Sequence, residues 1–427
     1  MERLLHYAWK HKIYPLAGMK TTTGLPVEVI DPGLSHADAG PDFFNAKVKI
    51  DGTLWVGNVE IHVRSSDWHR HGHHKDKAYD SVILHLAEQI DTEVCRTDGE
   101  PIHQMQFVCP EHVRTRYEEL KQTDIRPRCY TFLSSLSVLT IHSWFAALQT
   151  ERLEQKTNQI VQRLERHNNH WEDVFFITLS RNFGFGLNGD AFEMWGNLLA
   201  FRAAEKHRDD LKQLEALFFG QAGLLDEALP DDSYYIELQK EYHYLCRKFG
   251  LRQMDPTMWR FLRSRPGNFP HVRLAQLACL YHQRQGLLSR VVEAETLKEV
   301  QGIFSTATSD YWLTHFTFGK SSPSRPKTLG KGALNLIAIN TVVPFLYAYG
   351  LHKSDERLCA RALAFLEEIA AENNRITRMW DGAGLPAKNA ADSQALIQLQ
   401  TAYCDLKKCL HCRFGFELFK LKTGREQ

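Results

Sequence analysis

Pro41-Asp42-Phe43-Phe44-Asn45-Ala46-Lys47-Val48-Lys49-Ile50-Asp51-Gly52-Thr53-Leu54-Trp55-Val56-Gly57-Asn58-Val59-Glu60-Ile61-His62 decides how the first part of this chain folds. Asp51-Gly52 separates two runs rich in β-branched and aromatic residues, and a two-residue type I′ turn needs central residues that accept positive φ. The stretch therefore reads as a β-hairpin. A loop at 51–52 pairs Ile50 with Thr53 and, by regular continuation, Asn45 with Asn58 and Phe43 with Glu60. One face then carries Phe44, Ala46, Val48 and Ile50 with Trp55, Gly57, Val59, Ile61 and Val63, an apolar core face. The other carries Asn45, Asn58, Glu60 and His62. Asn and His are poor strand formers, so this polar face points to a site. Asp42 falls opposite Glu60 in this register, and a bulge or bend at Gly40-Pro41 or Gly57 is needed to flip the parity.

Outward from the hairpin, Leu4, Leu5, Ala8, Trp9 and Ile13 sit at helical spacing over residues 2–14, ending before Pro15, and Val27–Ile30 reads as a strand closed by Asp31-Pro32-Gly33. Ser65-Ser66-Asp67 offers an N-cap for a short polar helix from Trp68 to Tyr79, weakened by Gly72. Ser81–Ala87 is almost continuously apolar, the mark of a strand covered on both faces. Glu93–Arg96 and Pro101–Val108 flank Thr97-Asp98-Gly99-Glu100 as a second hairpin. The order is α-β-β-β-α-β with an extra hairpin, so residues 1–110 are expected to form an α+β domain. From 111 the pattern becomes helical, beginning with Ile141, Trp144, Leu148, Leu153, Ile160 and Leu164 opposite Glu151, Arg152, Lys156 and Arg163. Residues 111–427 are read as a large all-α region without a fixed repeat, with a subdomain break near 320–330.

The composition narrows the function. Lys and Arg total 52 against 51 Asp and Glu, a net charge of +1, which excludes a global cationic field of the kind that draws proteins onto nucleic acid. The N-terminus lacks an apolar leader, and no uninterrupted apolar stretch approaches membrane-spanning length, so no membrane partner and a cytoplasmic location are expected. Nine cysteines, an odd number, argue for reduced thiols rather than a secreted disulfide framework.

Pro41-Asp42, the hairpin and Glu60-Ile61-His62 together resemble the restriction-endonuclease-like PD-(D/E)xK nuclease superfamily, whose pattern is Pro-Asp, then Asp or Glu, any residue, Lys. Asp42 and Glu60 match the acidic positions, and His62 stands where the Lys belongs. The resemblance implies a restriction-endonuclease-like fold with Asp42, Glu60 and His62 as catalytic and metal-binding residues. Mg²⁺ or Mn²⁺ on the carboxylates would lower the pKa of a bound water, and His62 would act as general base or as a ligand. Asn45, Asn58, Asp67, His69 and His71 are read as supporting residues. Trp68-His69-Arg70-His71 also resembles the very-short-patch mismatch endonucleases of the same superfamily. His69, His71 or His73 offer transition-metal ligands, the competing reading being a solvated loop. Arg64, Arg70 and Lys75 near the site, and Arg260, Arg263 and Arg265 interleaved with aromatics in Trp259–Pro270, are the nucleic-acid-binding candidates.

Cys404-x4-Cys409-x2-Cys412 has the spacing of a zinc or iron–sulfur site lacking a fourth ligand, which His411 or a distant Cys such as Cys129 would supply. On an unbroken helix Cys404 lies roughly 140° round from Cys409, so a site there requires the helix to break. Buried structural thiols are the alternative.

Asp38–Ala46, Gly57–His62, Arg265–Pro270 and Tyr403–Cys412 resemble an uncharacterised bacterial family, domain-of-unknown-function 2851, a likeness that implies no activity. The expected function is a metal-dependent nuclease whose helical region selects substrate or partner. Two alternatives stand beside it: a non-catalytic scaffold binding nucleic acid or protein, and a transition-metal hydrolase using the His cluster. The sequence leaves substrate and oligomeric state open.

Overall fold

A computed structural model of the chain describes residues 1–14, 18–35, 40–199 and 201–421. Pro15, and Asp38 and Ala39 of the family-like stretch, lie outside them. The first strands build one mixed sheet in the order β1-β3-β4-β5-β6, with β2 also on β3: β1 Val27–Asp31, β2 Leu34–Ser35, β3 Phe43–Ile50, β4 Thr53–Arg64, β5 Val82–Gln89 and β6 His103–Gln106. Pairs up to β3–β4 are antiparallel, and β4–β5 and β5–β6 are parallel. Helix α1, Glu2–Lys10, shorter than the expected 2–14, buries Leu4, Leu5, Ala8 and Trp9, and the Trp9 indole donates to Pro32 O at 3.0 Å. The apolar run on β5 is buried from Val82 through Ala87, as a parallel strand covered on both faces should be.

Asp51 and Gly52 both take positive φ, 49° and 78°, and Ile50 pairs with Thr53, so the hairpin turn is the expected one. The register runs regularly only to Ala46↔Gly57 and resumes at Phe43↔Val59. Phe44 and Asn45 together oppose Asn58, a bulge in which Asn45 adopts φ +57°. Phe43, expected on the polar face, is wholly buried, while Phe44, expected in the core, is 57% exposed. Gly57 is not the bend. It stays in register because a Cβ there would stand 2.4 Å from Ile83 Cγ2 and 2.8 Å from Ser81 O.

Other expectations need correction. The second hairpin is cut down to one antiparallel bridge, Cys95↔Pro101, around the expected turn, where Arg96 N donates to Glu100 O at 2.9 Å and Ile102 N to Val94 O at 3.0 Å, and β6 then joins parallel to β5. After β4 comes only a four-residue helix, α2, Asp67–Arg70, then 3₁₀ turns at His73–Lys75 and Lys77–Tyr79, because Gly72 turns the chain at φ +79°.

The described chain divides into two compact units, residues 1–144 with 379–385 and 399–427, and residues 145–378 with 386–398. Position 110 therefore lies inside the first unit, which recovers C-terminal segments, and 320–330 lies inside the second. There His315–Thr317 and Lys320–Ser321 pair as a short hairpin, and buried Lys327 donates to the carbonyls of Trp312 and Leu313. The second unit is mostly helical around aromatics such as Phe175, Phe176, Trp195 and Phe218. Lys331–Lys353, though interrupted by Asn335, Asn340 and Thr341, is long and apolar enough by length and composition to cross a membrane, and 61% of its 18-residue apolar window is buried within the protein.

Candidate functional site: an acid–histidine pocket

The bulge sets the geometry. With the parity of β3 flipped beyond it, Asp42 comes to Glu60: Asp42 N donates to Glu60 Oε2 at 3.0 Å and Ile61 N donates to Asp42 Oδ2 at 2.9 Å. Asn45 and Asn58 build the bulge instead of lining the pocket. Asn45 N donates to Asn58 Oδ1 at 3.1 Å, and Asn58 Nδ2 donates to Ser81 Oγ at 2.8 Å.

Glu60 Oε1 lies 3.5 Å from His62 Nε2 and 3.4 Å from His73 Nε2. The ligand nitrogens of His62, His71 and His73 all fall within 4.8 Å of one another. The acid pair and the histidine loop, weighed in the sequence as separate sites, thus meet in one pocket. His85, the polar exception in the apolar run of β5, sits beside Glu60 in the parallel register, its Nε2 2.9 Å from His62 Nδ1. His6 of α1 places Nε2 3.3 Å from Asp42 Oδ2. Neither was singled out from the sequence. A lone His inside an apolar strand was the available signal for His85, and none marked His6.

Burial, then the neighbouring Asp42 charge, hold the Glu60 carboxyl well above the ordinary carboxylate range. Burial is also the largest cause pulling His62 down to about 3, His85 to about 3 and His73 to about 4, with the neighbouring imidazoles adding to it. His6 moves the other way: burial lowers it, but the hydrogen bond and charge of Asp42 outweigh this. Tyr79, stacked on His73 at 3.8 Å between centroids, is pushed up to about 12 by burial and by Glu60 and Asp42. The pocket therefore offers neutral imidazole nitrogens, the ligating form, beside a Glu60 carboxyl whose charge burial and Asp42 disfavour and a cation would favour. His62, His71 and His73, with Glu60 beside two of them, are the residues able to hold it.

The remaining candidates have other partners. Asp67 accepts from Arg64 N at 3.3 Å and pairs with Arg70 at 2.9 Å, fixing the start of α2. His69 Nε2 lies 3.2 Å from Glu93 O, and its ring packs on His74. Arg64, Arg70 and Lys75 are exposed in the first unit; Arg260, Arg263 and Arg265 are exposed in the second.

All nine cysteines are free. Cys404, Cys409 and Cys412 share a cavity wall with Cys129. The required helix break exists: a π-helical turn ends at Cys404, Lys407 reverses the chain at φ +53°, and Cys409–His411 restarts as 3₁₀.

The family described as "Protein of unknown function (DUF2851)" matches residues 2–375. No curated protein and no solved structure matches the chain.

Proposed function

This chain belongs to the DUF2851 family, a membership that brings no chemistry with it, and we propose from its own residues that the first unit is a metal-dependent phosphodiesterase, a nuclease. The observation carrying this reading is the Glu60 carboxylate set within 3.5 Å of two imidazoles while clasped to Asp42. An antiparallel hairpin continued by parallel strands, with a helix packed on the sheet, agrees with a restriction-endonuclease-like fold.

His62, His71 and His73, with Glu60, would hold a divalent ion. Mixed imidazole and carboxylate donors suit Mn²⁺ or zinc better than Mg²⁺. When bound, the ion supplies a water of lowered pKa and neutralises phosphoryl charge. His85 fixes the tautomer and orientation of His62, and His6 steadies Asp42, as outer groups do around metal ligands. Tyr79 keeps its phenolic proton and can donate it to a phosphate oxygen. Exposed Arg70 and Lys75 flank the histidine loop and suit a phosphate backbone.

The test is cleavage of single- and double-stranded DNA and RNA by the full chain with Mn²⁺, zinc or Mg²⁺, beside the Glu60→Gln variant. Metal-dependent cutting lost in the variant supports the reading. Absence of cutting with every ion and substrate overturns it. The missing Lys favours one second reading, a non-catalytic scaffold, which nucleic-acid retention without turnover would identify.

A further inference from the structure

We propose that Cys129, Cys404, Cys409 and Cys412 form a four-thiolate site for a thiophilic metal centre, a zinc ion or an iron–sulfur cluster, separate from the acid–histidine pocket.

The four sulfurs come from two segments far apart in sequence and line a single cavity of about 20 Å³, closed by Leu120, Tyr403 and Gly415. A void among side chains forfeits packing on every wall, and interiors tolerate few of them. No carboxylate lines this one. Arg128 and Lys408 do, and they suit the roughly two negative charges that four thiolates leave on a divalent centre. The Cys404 thiol senses Cys412, Cys129 and Cys409 electrostatically, which places all three in its neighbourhood.

The backbone is arranged for sulfur as well. Cys412 is the N-cap of the helix Arg413–Lys420, which sets its thiol at the amino end of the helix, where the free amides of the first turn favour negative charge. Gly415 is required there because a Cβ would stand 2.1 Å from Cys409 O. The turn at Lys407 brings Cys404 and Cys409, which a continuous helix would separate, to the same wall. On binding, each thiol surrenders its proton to solvent and forms one bond to the metal; no oxidant is consumed.

The experiment is elemental analysis and visible spectroscopy of the full chain purified without oxygen from zinc- and iron-replete cells. Stoichiometric zinc without colour, or iron with a broad visible absorption, both support the site and distinguish its two forms. Cys129→Ser and Cys404→Ser should each lower that content about tenfold or more. Cys359→Ser, in the second unit, should leave it intact. Metal-free wild type, or content indifferent to Cys129→Ser, overturns the proposal. Should the serine variants fail to fold, cysteine-resolved alkylation of wild type decides: protection of these four thiols that chelation removes supports the site, and reactivity unchanged by chelation overturns it.

Discussion

In the acid–histidine pocket Asp42, Glu60, His62 and His85 already hold one another or a backbone amide, whereas elsewhere in the same unit four thiols line a small cavity. The first arrangement pairs most of its polar groups internally, His85 Nδ1 being a buried exception, and burial favours the uncharged forms of Glu60, His62, His73 and His85. The second leaves packing unmade. The two proposed metals would thus have different surroundings: ligands already paired with one another at the acid–histidine site, and thiols around a cavity at the other.

The largest effect that could break this contrast concerns the bulge. Phe43→Ala should cost about 3–5 kcal/mol in urea unfolding, and Phe44→Ala less than about 0.5; equal costs would restore the regular hairpin and separate Asp42 from Glu60. Next, Glu60→Gln should lower metal-dependent turnover by at least about 10²-fold, near 2.7 kcal/mol, without lowering the metal-free melting temperature. A fall in that temperature would mean that Glu60 is an ionised structural partner. In the thiol region Gly415→Ala should cost about 2 kcal/mol and reduce bound metal, read by thermal melting with elemental analysis, while sparing metal binding at Glu60.

Titration sharpens the contrast further. His62, His73 and His85 stay neutral in the fold down to about 3–4, whereas the unfolded chain protonates them near 6.5. The unfolded state then binds more protons, so metal-free stability should fall as pH drops from about 6.5 toward 4. Glu60 opposes this, since the fold retains a proton that the unfolded chain releases above about 4.5. Glu60→Gln should therefore steepen the acid loss by up to about 1.4 kcal/mol per pH unit, measured by chemical denaturation across that range. The smallest effect, about 1 kcal/mol, is expected for Asn58→Ala, which strips the acceptor from Asn45 N and loosens the bulge; denaturant midpoints would measure it.

Much of the pocket was legible. Asp51-Gly52 marked the turn, the Val82–Ala87 run marked the doubly covered strand, and Asp42, Glu60 and His62 were picked out from their places around the hairpin. The position of the bulge was not, because Asn45 tolerates the left-handed region without demanding it, and Gly57 carried the stronger bend signal while serving only close approach to Ile83. Cys129 was named only as an example of a distant cysteine for the fourth thiol-site position, and sequence distance gave no way to choose among such cysteines and His411.

The sequence by itself determined the local units: which residues turn, which alternate, which run apolar, and where acids, imidazoles and thiols are available. Only the tertiary structure decided which of them meet. A strand's side-chain parity changes sides with one inserted residue, so Asp42's face was set by how Asn58 and Ser81 hold the bulge. The closeness of His6, His73, His85 and Cys129 to their partners is likewise a product of packing, which joins segments that no local spacing relates.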